Sequence, residues 1–343
     1  MRILVTGGAG FIGSHYVRQL LAGAYPAFAP AEVVVLDKLT YAGDLRNLDP
    51  VAHHPGFELV VGNICNPALV TRVLRGVNLV VHFAAESHVD RSIAGSAEFI
   101  RTNVLGTHTL LDAALKAGVG KFVHVSTDEV YGSITEGRWS ETASLRPNSP
   151  YAASKASADL LARAFYRTHG FPVCVTRCSN TYGPYQFPEK IIPLFLTNLL
   201  EGRKVPLYGD GSNRRDWLHV TDHCAGVQLV AERGKPGEVY NIGGGIELTN
   251  RELTARLLAI TGADWSMVET VPDRKGHDQR YSVDTSKIRT ELGYDPTIGF
   301  AEGLAHTARW YHDNREWWSA KRPDAAHAQA KQVSGPPWYS TIS

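Results

Sequence analysis

Tyr151 and Lys155 stand four residues apart in a stretch of helical character. That spacing puts both side chains on one helix face. An ammonium beside a phenol favours the phenolate and is expected to lower its pKa. A phenolate can take a hydroxyl proton while hydride leaves the same carbon for a nicotinamide. Upstream, Ser126-Thr127-Asp128-Glu129 follows an apolar run at residues 122–125. Residues just past the carboxyl end of a parallel strand face the ligand crevice. Ser126 and Thr127 can donate hydrogen bonds to the alcohol being oxidised. Asp128 and Glu129 add two carboxylates beside it. Crowded carboxylates resist ionising together, so one can stay protonated as an acid while the other acts as a base. Alcohol oxidation needs neither, so the pair points to an elimination after oxidation. Each feature has a plainer reading, since YxxxK recurs in ordinary helices and acidic pairs are common at helix starts. Their setting in a dinucleotide fold favours the chemistry.

That setting begins at the N-terminus. Residues 3–5 read as a strand and run into Gly7-Gly8-Ala9-Gly10-Phe11-Ile12-Gly13, and a helical pattern follows. Gly8, Gly10 and Gly13 satisfy GxGxxG; Gly7, Gly10 and Gly13 satisfy GxxGxxG. Glycines permit the tight turn and let backbone approach a pyrophosphate, and the helix N-terminus supplies N–H donors. The second strand ends at Asp37. A carboxylate there hydrogen-bonds the ribose hydroxyls and repels a 2′-phosphate, which favours NAD over NADP. Lys38, next in the chain, softens that preference.

The elements that must position these groups show as alternation. Apolar runs at 3–5, 33–36, 59–61, 79–83, 122–125 and 173–176 are rich in β-branched residues and read as buried strands. Amphipathic stretches lie between them, notably 97–116 and 151–168. The expected fold is α/β: a Rossmann-type doubly wound parallel sheet with a smaller C-terminal α/β substrate lobe. The helix bearing Tyr151 has Ser149 as N-cap, Pro150 at its first position and Gly170 as its stop. Beyond about residue 185 the alternation weakens, with helices expected near 192–201, 222–233, 249–261 and 299–313. The expected division is 1–185 for the dinucleotide domain, with some later segments returning to it. The substrate lobe spans 186–318, and a loose tail 319–343, aperiodic from about Ala320.

Composition narrows the class. Lys plus Arg is 35 against 34 acidic residues, a net charge of +1, which argues against a nucleic-acid or membrane-surface binder. Cys65, Cys174, Cys178 and Cys224 form no CxxC pair, so neither a thiol redox motif nor a metal site is expected. Cys174 and Cys178 read as small core residues. The start of the chain lacks a signal-peptide pattern, and no stretch of ~20 apolar residues occurs. A soluble cytoplasmic protein is expected.

Taken together, GGAGFIGS, LDKLTYAG (36–43), AAESHVDRSI (84–93), STDEVYG (126–132) and YAASK (151–155) carry a resemblance. RCSN and YGPYQFPEK (within 177–190), YGDGSNRRDW (208–217) and DRKGHDQRY (273–281) extend it. The sequence resembles the dTDP-glucose 4,6-dehydratase family of extended short-chain dehydrogenase/reductases, from residue 1 to about 318. The early motifs mark the superfamily, and the Asp128-Glu129 pair narrows it to dehydratases.

The resemblance implies tightly held NAD and dTDP-glucose as substrate. Tyr151 would take the 4-hydroxyl proton, Thr127 would polarise the 4-oxygen, and Lys155 would also hold the nicotinamide ribose. Glu129 would remove the C5 proton and Asp128 would protonate the leaving C6 hydroxyl. NAD would be lined by Gly7, Gly10, Phe11, Ile12, Gly13, Asp37, Lys38, Leu39, Thr40, Asn63, Ile64, Phe83, Ala84, Ala85, Ser87, Thr102, Ser126 and Thr181, besides Tyr151 and Lys155. The sugar nucleotide would meet Ser87, Thr127, Asn180, Glu189, Lys190, Pro206, Tyr208, Arg215, Asn241, Arg274 and His277. Asn63 replaces the family's usual Asp, and Thr181 stands where the usual run is Asn-Asn. The family commonly dimerises through a four-helix bundle, here helices at about 96–117 and 151–169. A UDP- or CDP-glucose dehydratase shares the carboxylate pair, while a nucleotide-sugar C4-epimerase or decarboxylase does without it. A catalytically dead NAD sensor is a further alternative, though such proteins usually lose the tyrosine.

Overall fold

The computed structural model describes residues 1–321. Strands and helices alternate from the start: β1 (Arg2–Thr6), α1 (Phe11–Leu21), β2 (Glu32–Asp37), β3 (Phe57–Val61), α2 (Pro67–Val73) and β4 (Leu79–His82). Then come α3 (Val89–Ala94), α4 (Ala97–Phe99), α5 (Thr107–Lys116), β5 (Lys121–Thr127), α6 (Pro150–His169) and β6 (Val173–Cys178). The second half comprises β7 (Asn180–Tyr182), α7 (Ile191–Leu200), β8 (Val205–Tyr208), β9 (Arg214–His219), α8 (Val220–Arg233) and β10 (Val239–Ile242). It ends with β11 (Ile246–Thr249), α9 (Asn250–Thr261), β12 (Val268–Val271), α10 (Ser286–Leu292), α11 (Phe300–Asp313) and α12 (Arg315–Ser319).

Seven strands form one parallel sheet in the order β10-β6-β5-β4-β1-β2-β3. Successive side chains on a strand point to opposite faces. In β1, Ile3 and Val5 enter the core shared with α1 and α8, while Leu4 enters the core shared with α2 and α5. Coverage of both faces is why these strands read as unbroken apolar runs. The order reverses between β1 and β4, and at such a switch point a crevice opens beyond the carboxyl ends of the strands. The later residues build short two- and three-stranded sheets. They also form a separate apolar core in which Ile192, Phe195, Leu253, Leu257, Leu304 and Trp318 are buried. Within that half, β10 pairs with β6 at the edge of the large sheet and α8 packs on that sheet.

Helix α6 has the expected boundaries. Ser149 Oγ accepts from the Ala152 N–H at 3.1 Å, Pro150 opens the helix, and Gly170 closes it in the left-handed conformation. The stretch 97–116 departs from expectation. It is helical throughout, yet residues Ile100–Gly106 form a π-helical turn rather than a continuation of one α-helix. The tail expectation also needs correction at its start. Lys321 Nζ reaches Asp44 at 2.6 Å and sits 3.2 Å over the Trp317 ring, so the chain through 321 is packed, not loose. Residues 322–343 of that tail lie outside the described residues.

Candidate active site

A cleft of about 440 Å³ runs along the carboxyl ends of the parallel strands and under the second half of the chain. At one end lies the glycine loop. Gly7 has φ +71°, and a Cβ there would stand 2.6 Å from the Ala84 nitrogen; a Cβ at Gly13 would overlap the Gly7 carbonyl. Only glycine therefore lets the loop lie this close to the neighbouring strand end. Asp37 Oδ2 accepts from the Ala9 N–H at 2.9 Å and Oδ1 from the Leu39 N–H at 2.8 Å. Burial raises its pKa, and these two N–H groups partly counter that. Gly10, Phe11, Ile12, Lys38, Thr40, Asn63, Ile64, Phe83, Ala84, Ala85, Ser87 and Thr102 line this end of the cleft. Leu39 does not; it packs against the core beneath. An open glycine loop at a helix start, a carboxylate at the end of β2 and apolar walls from Ile12, Ile64 and Phe83 fit a dinucleotide.

Midway, β5 and α6 bring the reactive groups together, since Ser126, Thr127, Asp128, Glu129, Tyr151 and Lys155 all line the cleft. Lys155 Nζ donates to the Val125 carbonyl at 2.8 Å. Burial pulls its pKa down to about 8, against the attraction of the Asp159 carboxylate. The Tyr151 phenol behaves otherwise than expected. Burial first, and then the Glu129 charge, push its pKa up, so the phenol is held neutral. Thr127 Oγ1 donates to Asp128 Oδ1 at 3.4 Å and accepts from the Glu129 N–H at 3.3 Å. Asp128 is 2% exposed, and its Oδ2 has no hydrogen-bond partner. Burial, then the Glu129 and Asp216 charges, raise its pKa well above the usual carboxylate range. Glu129 is also raised by burial, but Lys190, Arg215 and Arg274 oppose the rise. The two carboxyl groups thus sit in opposed fields: one favours the acid, the other draws toward the anion.

The far end is cationic. Lys190 Nζ donates to the Ser87 carbonyl at 2.8 Å. Arg215 is buried, donates to the Asp278 carbonyl at 2.9 Å, and lies 4.3 Å over the Tyr281 ring. Arg274 is held by Asp90 through bonds of 2.6 and 2.8 Å. Arginine forks suit a diphosphate. Asn180, Pro206, Tyr208 and His277 line the same end, and His277 Nδ1 lies 2.7 Å from Asp273. Glu189 is there too, its carboxylate engaged by Arg91 at 3.1 Å.

The sequence profile of the GDP-mannose 4,6 dehydratase family matches residues 4–307. A dTDP-glucose 4,6-dehydratase of Streptomyces niveus is 59% identical over 327 residues, covering 95% of this chain and 97% of its own. One of Streptomyces antibioticus is 60% identical over 339 residues, 98% of this chain and 100% of its own. The chain belongs to the dTDP-glucose 4,6-dehydratase family. Among solved structures, the dTDP-glucose 4,6-dehydratase DesIV of Streptomyces venezuelae, with NAD and dTDP bound, superposes with a TM-score of 0.93. It is 63% identical, covering 94% of this chain and 100% of its own. A UDP-glucose 4-epimerase of Thermotoga maritima superposes at 0.85 with 33% identity, over 92% and 100% of the two chains.

Against this dehydratase family, two positions need comment and one needs correction. Asn63 keeps its place in the cleft wall, with Oδ1 accepting from the Cys65 N–H at 2.9 Å. Thr181 also lines the cleft, and its hydroxyl pairs with His223 Nδ1 at 3.0 Å. Asn241 is not a cleft residue. It is fully buried on β10, its Oδ1 accepting from Tyr131 and its Nδ2 donating to the Trp139 and Asp284 carbonyls. Both of its amide hydrogens are spent inside the fold, and its side chain does not reach the cleft. Asn250, at the first position of α9, lines the cleft instead, together with Trp217, Gln186, Phe187 and Tyr281, none of which was expected. The Thr249–Glu252 capping box was a usable signal for Asn250, because it fixes where α9 starts and so which residue opens onto the cleft.

Proposed function

We propose that this chain converts dTDP-glucose to dTDP-4-keto-6-deoxyglucose, with NAD held in the glycine-loop end of the cleft. The reading is carried by one observation: Asp128 and Glu129 line the same cleft as Tyr151 and Lys155, in fields that separate an acid from a base. NAD supplies a hydride acceptor and, later in the same turnover, the returning hydride. Gly7, Gly10, Gly13 and Asp37 hold it, with Lys155 at its nicotinamide ribose. Tyr151 takes the 4-hydroxyl proton as the phenolate, so its phenol must first lose its own proton, which the Lys155 ammonium favours against burial and the Glu129 charge; Thr127 donates to the 4-oxygen as it becomes a carbonyl. That carbonyl acidifies the C5 hydrogen, which Glu129 removes. Asp128 gives its proton to the departing C6 hydroxyl, and water leaves. Glu129 then returns its proton to C5 as C6 is reduced; Tyr151 still holds the 4-hydroxyl proton and Asp128 lacks the one it gave to water, so one proton passing from the phenol to Asp128 through solvent restores the protein. Lys190, Arg215 and Arg274 meet the diphosphate, and Pro206 and Tyr208 wall the base.

The same reading divides the chain into a cofactor-binding part, residues 1–185 with the returning α8 and β10, and a substrate lobe from the rest of 186–318. It takes two copies to work side by side, through the faces of 96–117 and α6 where Ile100, Leu105 and Leu160 are exposed. It places the protein in the cytoplasm, where a reducing environment suits four unpaired cysteines. No helix among the described residues is long and apolar enough to cross a membrane.

The test mixes the protein separately with dTDP-, UDP- and CDP-glucose and follows the keto-sugar absorbance in alkali. Absorbance with dTDP-glucose first and fastest is expected; none with any of the three overturns the reading. Glu129→Gln should still reduce bound NAD on mixing but release no water, because an amide cannot take the C5 proton. Normal turnover in that variant would remove Glu129 from its role. Tyr151→Phe should slow NAD reduction ~10²–10⁴-fold, the range for a lost general base.

A further inference from the structure

We propose that Arg177 is a positioning residue, which holds the Asp128–Glu129 turn at a fixed setting against the Tyr151–Lys155 helix through a hydrogen-bonded chain that never touches substrate. The proposal rests on the dehydration reading above. Arg177 lies on β6, fully buried, in register with Ser126 of β5 on one side and Asn241 of β10 on the other. A buried guanidinium must be paired, and its planar fork fixes the directions of its partners. Nε donates to Asp159 Oδ2 at 2.8 Å. Tyr151, Lys155 and Asp159 are spaced by four on α6, so they share one face and the ion pair anchors that face to β6. Nη1 donates to the Tyr131 hydroxyl at 2.8 Å, and that hydroxyl donates to Asn241 Oδ1 at 2.8 Å. Tyr131 closes the single helical turn that begins with Asp128 and Glu129. The guanidinium also lies 4.7 Å over the Tyr131 ring.

One side chain therefore grips the acid–base helix with one nitrogen and the carboxylate turn with another. Arg177, Tyr131 and Asn241 are absent from the cleft lining, so they act through the groups they hold. The two chemical stages depend on this link unequally. Oxidation at C4 needs Tyr151 and Lys155 on α6 and Thr127 at the end of β5, all of them outside the turn that Tyr131 closes. Elimination also needs Glu129 and Asp128 aimed at C5 and C6, so slack in the turn should strike elimination alone.

Tyr131→Phe removes the anchor while keeping the ring that stacks on Trp139. NAD reduction on mixing with dTDP-glucose should proceed as in the parent. Water loss should slow by ~10–100-fold, the scale of a misplaced reacting group. Reduced nicotinamide should then accumulate on the protein, with kcat down and KM unchanged. Arg177→Lys should move the same way, since an ammonium can keep the ion pair with Asp159 but cannot also hold the Tyr131 hydroxyl in plane. Tyr16→Phe removes another buried hydroxyl bond, 2.7 Å to Gln228, and should leave the ratio of the two stages alone. Parental ratios in Tyr131→Phe, equal loss of both stages, or accumulation in Tyr16→Phe as well would each overturn the proposal. A parent inert toward every hexose nucleotide would sink the dehydration reading itself, and this inference with it.

Discussion

Asp128 and Glu129 carry the same functional group on adjacent residues, and what separates them is their surroundings. Asp128 is enclosed against two other carboxylates, whereas Glu129 faces three cations across the cleft. Lys190 comes first among those cations in lowering the Glu129 pKa. Lys190→Met should therefore raise that pKa. Fewer molecules would then hold the ionised base at low pH, and the acid limb of the kcat profile should move to higher pH. Rates measured at saturating dTDP-glucose from pH 5 to 9 check this; an unmoved limb would dissociate Lys190 from the base. The doublet was legible in the sequence because its members are neighbours and directly follow a strand. The asparagines were not. Asn241 and Asn250 are both polar residues near strand ends, and only tertiary placement decides that one is locked inside the sheet while the other opens onto the cleft.

Helix α6 was readable nearly to the residue, since its cap, its proline and its terminal glycine are local signals. The helical stretch before β5 was not, because a π turn has no residue signature. Its effect is specific. The wider turn directs Asn103 inward, where it accepts from the Glu86 N–H at 2.9 Å and donates to the Glu86 carbonyl at 2.9 Å and to Ser154 Oγ at 2.8 Å. One side chain thus ties the cleft-lining loop around Glu86 to α6. On the outer side, π-helical turns bring residues five apart onto one face. Ile100 and Leu105 are so spaced and more than half exposed, as is Leu160 on α6. Burying each such side chain contributes ~1.5–3 kcal/mol, and a carboxylate in its place carries a desolvation cost instead. Leu160→Glu should turn a two-chain species into a single chain in sedimentation equilibrium. A parent already sedimenting as one chain would show that this face is not where copies meet.

Across the molecule, the alternation of apolar runs and helices gave the doubly wound sheet, but not its seventh strand. Residues Val239–Ile242 are short and lie some sixty positions beyond β6, so only the closed sheet explains their burial. The helix that makes this return, α8, is also where buried histidines gather. His223 is fully buried with Thr181 on its Nδ1, and burial pulls its pKa down to about 3; His219, at the start of α8, is pulled down to about 4. An unfolded histidine titrates near ~6.5. Between that pH and the folded value the unfolded chain binds a proton that the native chain refuses. Neutral His223 therefore contributes its full stability above pH ~6.5 and loses it as pH falls toward about 3. Carboxylates with raised pKa values, such as Asp216 at about 6, work in the opposite sense, so the parent curve alone mixes the two. A difference curve separates them. His223→Asn keeps a polar partner for Thr181 and cannot titrate. Relative to the parent it should gain ~2 kcal/mol between pH 7.5 and 5, from ~1.4 kcal/mol for each pH unit below ~6.5. Urea unfolding midpoints of the two proteins at several pH values measure that gap. A gap that stays constant with pH would mean that His223 either stays charged in the folded state or is already neutral in the unfolded one.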